Sequence, residues 1–314
     1  MTTIAAVGEV VADAVLPADG IRDHEAHLTV HPGGGSANFS IAVARLGSTA
    51  RFAGRLSTGS LGQLCRSKLA DSGVDLSASV AATEPATLAI ARLNEDGSAN
   101  YEFYTEGTAD WQWTAEELAP LLAGDGEAPV ALHTGTLALA LQPSGTVIEE
   151  LVAQARSRLT VSIDPNLRTV LIPVELYRDK IAHWGSLADI IRLSEDDLEQ
   201  LWPDTTPEQA AAKLHGFGVP LAIVSLGADG AFASLRGEQV RVPVAGTAVV
   251  DTVGAGDSFH GGLLHYLGTL GRLGGRLDEL TVDELREALE FASRVAAVTV
   301  SRAGANPPWA HELV

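Results

Sequence analysis

The chain has 314 residues, of which 46% are hydrophobic and 19% charged, so it can bury a large core as one α/β domain or two smaller ones. Its formal net charge of -19 disfavours nucleic acids and anionic membranes as partners, and no segment approaches the roughly 20 apolar residues that span a bilayer. The single cysteine, Cys65, excludes an intrachain disulfide, and an apolar first strand where a signal peptide would stand makes a cytoplasmic location our expectation.

Short runs rich in Val, Ile and Leu alternate with segments of helical spacing, a pattern typical of a parallel sheet covered on both faces. The predicted strands are residues 4–8, 51–54, 129–133, 160–164, 189–193 and 221–226. The clearest predicted helix is C-terminal, where Thr281 and Glu284 fit a capping box ahead of an apolar stripe. With no repeat or long linker in the sequence, we predict a single domain over residues 1–314.

Two segments interrupt this alternation, at residues 28–31 and at the pair 87–93 and 100–104. Asn and Gly in the joining residues 94–97 favour a hairpin-like reversal. Antiparallel strands inserted early into a parallel pattern predict a small β lid, contributed by about residues 10–33 and 86–108. A homodimer that paired lid strands would cover their exposed edges, and we keep it as a hypothesis.

Polar or glycine residues follow the C-terminal ends of successive predicted strands. They are Glu9 and Asp13, residues 134–136, residues 164–168, Ser194 with Glu195, and Gly227. In open α/β sheets ligands bind in the crevice at that end, although each position alone is equally consistent with an ordinary polar loop.

The strongest local motif is Asp251-Thr-Val-Gly-Ala-Gly-Asp-Ser-Phe259, which leads into an apolar helical run. A Gly-Ala-Gly turn that enters a helix aims backbone N–H groups at one point, where the helix dipole favours an anion. Asp257 alone could equally be a favourable charge at a helix start. The sequence lacks the P-loop motif, which excludes a P-loop enzyme. Phe259 stands where a dinucleotide fingerprint needs glycine or alanine, so a nicotinamide oxidoreductase is disfavoured.

A second motif, Pro32-Gly-Gly-Gly-Ser-Ala-Asn38, precedes a predicted helix over residues 39–47. Consecutive glycines allow a ligand to approach the main chain closely, and the Asn38 amide offers a donor and an acceptor to a hydroxyl. A flexible turn before a helix is the alternative interpretation.

Taken together, these motifs resemble the ribokinase-like (phosphofructokinase B-type) carbohydrate kinase family, in particular its fructokinase-like branch. The resemblance covers nearly the whole chain and includes Asp164-Pro-Asn-Leu-Arg168 and Ser225-Leu-Gly227. It implies a three-layer α/β/α, Rossmann-like, mainly parallel sheet with a small β lid. It also implies ATP-dependent phosphoryl transfer to a hydroxyl of a small neutral sugar, with ATP and Mg2+ as cofactors and K+ as an optional third.

The resemblance further implies roles for individual residues. Asp257 is the expected catalytic base, and the amides of Gly254, Ala255 and Gly256 are the expected anion hole. Three further sets follow: sugar contacts at Asp13, Gly33, Gly34, Asn38, Phe103 and Thr136; ATP contacts at Arg168, Ser225, Gly227 and Ser293; and cation sites at Glu195 and Asp197 (Mg2+ through water) and at Asp251 and Gly304 (monovalent cation). One departure is Ser194-Glu-Asp-Asp197, which replaces the family's Asn-x-x-Glu.

The sugar is left open by the sequence. Thr105 occupies the position where members acting on 2-keto-3-deoxygluconate often carry arginine, which favours a neutral sugar. Ribokinase, nucleoside kinase and 2-keto-3-deoxygluconate kinase activity remain alternatives, as does a non-catalytic sugar- or nucleotide-sensing protein. We expect Trp111 and Trp113 to lie in the core or an interface.

Overall fold

A computed structural model describes residues 2–94, 99–123 and 127–313 of the chain. The strands in these ranges are β1 (Thr3–Val7), β2 (Val11–Leu16), β3 (Ile21–Arg22), β4 (Glu25–Ala26), β5 (Thr29–Gly33), β6 (Thr49–Ala53), β7 (Arg55–Ser57), β8 (Val80–Ala82), β9 (Leu88–Leu93), β10 (Ala99–Tyr104), β11 (Ala131–Gly135), β12 (Thr160–Asp164), β13 (Ile190–Ser194), β14 (Leu221–Ser225), β15 (Ala231–Leu235) and β16 (Glu238–Val242). The α-helices in the same ranges are α1 (Gly35–Arg45), α2 (Ser60–Asp71), α3 (Ala115–Ala123), α4 (Thr136–Ala140), α5 (Ser144–Ala155), α6 (Val174–Leu187), α7 (Glu195–Leu201), α8 (Pro207–Gly216), α9 (Ala255–Thr269) and α10 (Val282–Val300).

Eight of the strands in the described ranges form the central sheet, in the order β16-β15-β14-β13-β12-β11-β1-β6. From β6 to β14 all neighbours are parallel, and β15 and β16 add an antiparallel edge. The prediction of a mainly parallel sheet is confirmed. Each of its six predicted strands matches an observed one, because buried parallel strands are apolar on both faces.

Helices cover both faces of this sheet, which gives the predicted three layers. One face packs against α3 to α8, where Trp113 and Trp184 are fully buried, and the other packs against α1, α2, α9 and α10. Trp111 and Trp113 therefore belong to the core. The predicted capping box begins α10, with the Thr281 side chain accepting the Glu284 N–H at 3.3 Å. Among the described residues, no helix is long and apolar enough to cross a bilayer.

A second sheet, β10-β9-β2-β5, is built from the region that the sequence assigns to the lid. Strand β2 pairs parallel with β9 and antiparallel with β5, and the sequence analysis did not anticipate β2. Residues 95–97 of the predicted reversal at 94–97 lie outside the described residues. The strands on either side of it, β9 and β10, pair antiparallel.

Asp110 joins two of the connections between this sheet and the body. Its Oδ1 accepts the Val10 N–H at 2.8 Å, and its Oδ2 accepts the Thr87 hydroxyl at 2.6 Å. Complete burial raises the pKa of Asp110 to about 7. The carboxyl group thus ties the start of β2 to the residue before β9.

Candidate active site

A cleft of about 390 Å3 opens at the carboxyl ends of the parallel strands. It lies where the chain order reverses, because β6 flanks β1 on one side and β11 flanks it on the other. Ligands bind at such switch points in open α/β sheets. Many of the predicted site residues line this cleft: Asp13, Gly34, Asn38, Phe103, Thr136, Arg168, Asp197, Gly254, Ala255, Gly256 and Asp257.

The glycine-rich turn begins helix α9 at the edge of the cleft. Gly254 adopts a left-handed conformation with φ +74°, which favours glycine, and a Cβ there would lie 2.5 Å from Ala305 Cβ. A Cβ on Gly256 would lie 2.6 Å from Arg192 Nη1. The first N–H groups of a helix have no intrahelical partner, although the Ala255 N–H already donates to the Thr252 carbonyl at 3.2 Å. The turn therefore offers backbone donors at a positive helix end.

Asp257 lies in the first turn of α9, at the base of the cleft. The Asn38 amide donates to Asp257 Oδ2 at 2.9 Å. Burial raises the pKa of Asp257 to about 7; the Asn38 hydrogen bond and Arg192 oppose this shift, while Asp164 adds to it. Asn38 Oδ1, buried in the cleft wall, has no partner among the described residues and is free to accept a ligand hydroxyl.

Asp13 projects from β2 on the lid side of the same cleft. Burial raises its pKa to about 6, and the positive charges of Arg168 and Lys68 limit the rise. Gly33 does not line the cleft, but a Cβ on it would collide with Asp13 Oδ2. Gly34 has φ +105° and a Cβ on it would approach the Glu9 carbonyl oxygen to 2.5 Å. The two glycines thus make room for the carboxylate and for the entry into α1.

Arg192 is a site residue that sequence reasoning missed. Arg192 is 6% exposed, and its guanidinium donates from Nη1 to Asp164 Oδ2 at 2.9 Å and from Nη2 to the Ser225 hydroxyl. The pairing holds the pKa of Asp164 below its usual range. This cation lies directly under Gly256. An arginine between the apolar residues Ile191 and Leu193 of a predicted buried strand was the available signal, because charged residues are rarely buried unless they are paired.

Glu9 ties two helix starts together beside the cleft. Its Oε1 accepts the Gly35 N–H at 3.0 Å, and its Oε2 accepts the Ala138 N–H at 3.1 Å. Burial raises the pKa of this carboxyl. The sequence had marked Glu9 only as a polar residue after a strand.

Three predicted nucleotide contacts do not line the cleft. Ser225 is engaged by Arg192, and Gly227 opens a 3-10 turn with φ +53°. Ser293 Oγ accepts the Ala245 N–H at 3.0 Å and donates to the Pro243 carbonyl at 3.2 Å. Ser293 therefore orders the segment that follows β16.

The predicted Mg2+ residues differ in position. Glu195 is exposed and does not line the cleft, whereas Asp196 and Asp197 do. Asp197 Oδ1 accepts the Leu167 N–H at 2.8 Å, and its Oδ2 accepts the N–H and hydroxyl of Ser194 at 2.8 and 2.6 Å. With both oxygens engaged, Asp197 fits a divalent ion through water better than as a direct ligand.

The residues of the predicted monovalent-cation site lie together. Asp251 Oδ2 accepts the Gly304 N–H at 2.7 Å, so the loop before α9 is joined to the loop after α10. Within the described ranges, no group of three or more His, Cys, Asp or Glu side chains could hold a metal ion. Any cation in this region would therefore rely on backbone, water or ligand oxygens.

The chain is similar to known carbohydrate kinases over most of its length. A family model described as pfkB family carbohydrate kinase matches residues 1–312. A fructokinase of Rhizobium leguminosarum bv. trifolii is 33% identical over 266 residues, covering 83% of this chain and 78% of that protein. Fructokinase-1 of Oryza sativa subsp. japonica is 33% identical over 318 residues, covering 99% and 95%.

Solved structures are similar over the whole length. Fructokinase from Vibrio cholerae O395 with fructose, ADP and calcium ion has a TM-score of 0.80 and 26% identity, covering 97% of this chain and 94% of that one. Aminoimidazole riboside kinase from Salmonella enterica, in complex with aminoimidazole riboside and an ATP analog, has a TM-score of 0.82 and 26% identity, covering 99% and 98%.

Proposed function

The chain belongs to the pfkB family of carbohydrate kinases and is a fructokinase-like sugar phosphotransferase; from this premise we propose that it phosphorylates a hydroxyl of fructose, with Asp257 as general base. One observation carries the assignment of the base. The Asp257 carboxyl lies next to the amides that begin α9 and is held by Asn38 in the cleft that also contains Asp13.

In the proposed reaction, Asp257 accepts the proton of the sugar hydroxyl while the hydroxyl oxygen attacks the γ-phosphorus of ATP. The bond between the γ-phosphorus and the bridging oxygen breaks, and ADP leaves. A base with a pKa of about 7 suits this step near neutral pH, because it is half ionised there and still basic enough to take a proton. Asn38 fixes the carboxylate by its hydrogen bond to Oδ2.

We assign charge stabilisation to the turn at Gly254–Gly256. Phosphoryl transfer depends mainly on positioning and on charge stabilisation, so backbone donors at a helix N-terminus suit the transferred group. Arg192, beneath Gly256, adds a fixed positive charge. The Ala255 N–H donates to the Thr252 carbonyl, so Gly254 and Gly256 are the better candidates for the anion hole.

The proposed sugar subsite lies between β2 and α1. Asp13 and the free Oδ1 of Asn38 would accept sugar hydroxyls, and Gly33 and Gly34 form the hinge toward the lid. Phe103 and Thr136 complete the lining. Fructose is proposed because the relatives with 33% identity are named fructokinases, and Thr105 brings no charge for an acidic sugar.

We propose that ATP binds in the cleft at Arg168 and that Ser225, Gly227 and Ser293 contact the part of the nucleotide that extends beyond it. Mg2+, which neutralises phosphate charge when bound, would be held through water at Asp197 and its neighbours. Asp251 and Gly304 are proposed to shape a K+ site whose ligands are largely backbone carbonyls.

We also propose a homodimer through the lid and a cytoplasmic location. The lid exposes Ile21 and Tyr101, each 55% accessible, and strand edges that a second chain could pair with. The thiol of Cys65 is buried and unpaired, which fits a reducing compartment. Light scattering at increasing concentration tests the dimer, and a monomer throughout would contradict it.

A coupled ADP-release assay tests the function with fructose, ribose, a riboside and 2-keto-3-deoxygluconate as acceptors. We expect the highest kcat/KM for fructose, near-complete loss in Asp257→Asn with ATP binding retained, and no change in Asp71→Asn, a matched change at an exposed position. Full activity in Asp257→Asn would refute the base. A higher kcat/KM for another acceptor would replace fructose.

A further inference from the structure

Lys68 lies on α2, half-buried between the body and the base of the lid. Its ammonium donates to two backbone carbonyls, those of Pro32 at 3.2 Å and Ala305 at 2.9 Å. These carbonyls are far apart in sequence, because Pro32 belongs to β5 and Ala305 to the segment that follows α10. No motif singles out this lysine, and it does not line the cleft.

The two carbonyls lie on opposite sides of the proposed reaction. Pro32 precedes Gly33, which is in such close contact with Asp13 that a Cβ would collide with the carboxylate. Ala305 packs on the anion-hole turn, with its Cβ 2.5 Å from where a Cβ of Gly254 would stand. Lys68 therefore connects the sugar side of the cleft to its phosphoryl side.

The charge of Lys68 also acts on Asp13. Around Asp13, Arg168 and Lys68 lower the pKa of the carboxyl, while burial and the charge of Glu9 raise it to about 6. The other titratable neighbours are His31, which faces Asp13 in the β2–β5 register, and Cys65. The pKa of the Cys65 thiol is raised to about 12, so Cys65 stays neutral. The pKa of Lys68 itself is lowered by burial and by Arg45.

We propose that Lys68 is a positioning residue that ties the lid hinge to the anion-hole turn and keeps Asp13 ionised for sugar binding. The inference rests on the proposed function, because it assigns Asp13 to the sugar. A carboxylate accepts hydrogen bonds from sugar hydroxyls through both oxygens, whereas its protonated form loses part of that capacity. Sugar binding should therefore weaken as the pH falls through the pKa of Asp13, and Lys68, together with Arg168, lowers the pH at which that happens.

Lys68→Gln separates charge from hydrogen bonding, because the amide keeps two N–H donors. Fructose binding is measured by calorimetry from pH 5.5 to 8.5 without nucleotide, so that catalysis does not contribute. Because Lys68→Gln removes a nearby positive charge, the pH below which fructose affinity falls (the acidic limb of the binding profile) should rise by about one unit. Fructose binding at pH 6 should then be about fivefold weaker than in wild type, once both proteins are normalised to their affinity at pH 8.5. Lys68→Arg should keep the wild-type limb, and Lys213→Gln, at an exposed lysine on α8, is the matched control.

Separate measurements of KM and kcat test whether Lys68 links the lid hinge to the anion-hole turn. Lys68→Met lacks donors for both carbonyls, so it should raise KM for fructose and also lower kcat at pH 8 at least tenfold, since misplacement by 1 Å can cost about 10²-fold. An unchanged kcat in folded Lys68→Met would overturn the link to the turn. An unshifted limb in Lys68→Gln, or a shifted one in Lys68→Arg, would overturn the charge effect. If wild type binds no fructose at any pH, the proposed sugar fails instead, and the series is run with the acceptor identified by ADP release.

Discussion

The proposed role of Asp257 as general base predicts a pH dependence of phosphoryl transfer that is controlled by the surroundings of its carboxyl group. The perturbation is a change of pH from 6 to 8 in the wild-type enzyme at saturating sugar and ATP. With a pKa of about 7, the carboxylate is about 9% ionised at pH 6 and about 91% at pH 8, so the rate should rise about tenfold. A carboxyl with the ordinary pKa of 3.8 would give a flat profile over this range.

The direction of the pH effect follows from the proposed role of Asp257 as a base. Burial favours the protonated form, so activity is present above the pKa and is lost as the pH falls through about 7. Asn38 opposes this shift by donating to Oδ2 at 2.9 Å. Asn38→Ala should therefore move the acidic limb to higher pH, in addition to raising KM through the lost sugar contact.

The assay is a rapid-quench single turnover, which separates the chemical step from product release. Asp257→Asn should lower the rate by about 10²- to 10⁴-fold and leave the remainder independent of pH, because the titrating base is gone. Asp71→Asn should retain the wild-type limb. A wild-type rate that is equal at pH 6 and pH 8 would refute the reasoning.

Three further predictions concern the surroundings of the base. Gly256→Ala should lower kcat by about 10²- to 10³-fold, because the new Cβ would displace Arg192 and shift the backbone N–H of residue 256. Gly216→Ala, which has open space around it, is the control. Equal kcat values in the two variants would contradict the assignment of the anion hole to this turn. Arg192→Met should lower the free energy of unfolding by about 3–5 kcal/mol in a urea titration, since the buried Asp164 carboxylate loses its arginine partner and keeps only His260 nearby, at 3.7 Å. A loss below about 1 kcal/mol would show that the pair is dispensable. Chelation by EDTA should abolish transfer and added Mg2+ should restore it, so turnover that persists in EDTA would remove the metal from the mechanism.

The parallel part of the fold could be predicted because strands buried on both faces are apolar throughout. Strand β2 was missed because Asp13 interrupts its short apolar pattern, and its pairing with β5 and β9 is a tertiary property. Strand β16 was missed because three of its five residues are exposed and polar.

The site could be predicted where the residues that carry it are close in sequence. The turn at Gly254–Asp257 is such a segment, and the prediction that it forms the anion hole stays open to experiment. The contacts of Lys68 and Arg192 were not predicted because their partners are distant in sequence. Ala305 is 237 residues from Lys68, and Asp164 is 28 residues from Arg192. A single sequence does not indicate such distant contacts.

The proposed use of backbone amides at the turn is consistent with the acidity of the protein. A lysine placed in the cleft to hold phosphate would form an ion pair with Asp257 and lower its pKa, which would weaken it as a base. Amide groups carry no net charge, so they can bind an anion without that cost in basicity. The one cation under the turn, Arg192, is paired with Asp164 at 2.9 Å, and the two charges shift the pKa of Asp257 in opposite directions. Burial remains the largest influence on the pKa of Asp257, so the proposed anion site and a carboxylate with a pKa of about 7 can occupy the same helix turn.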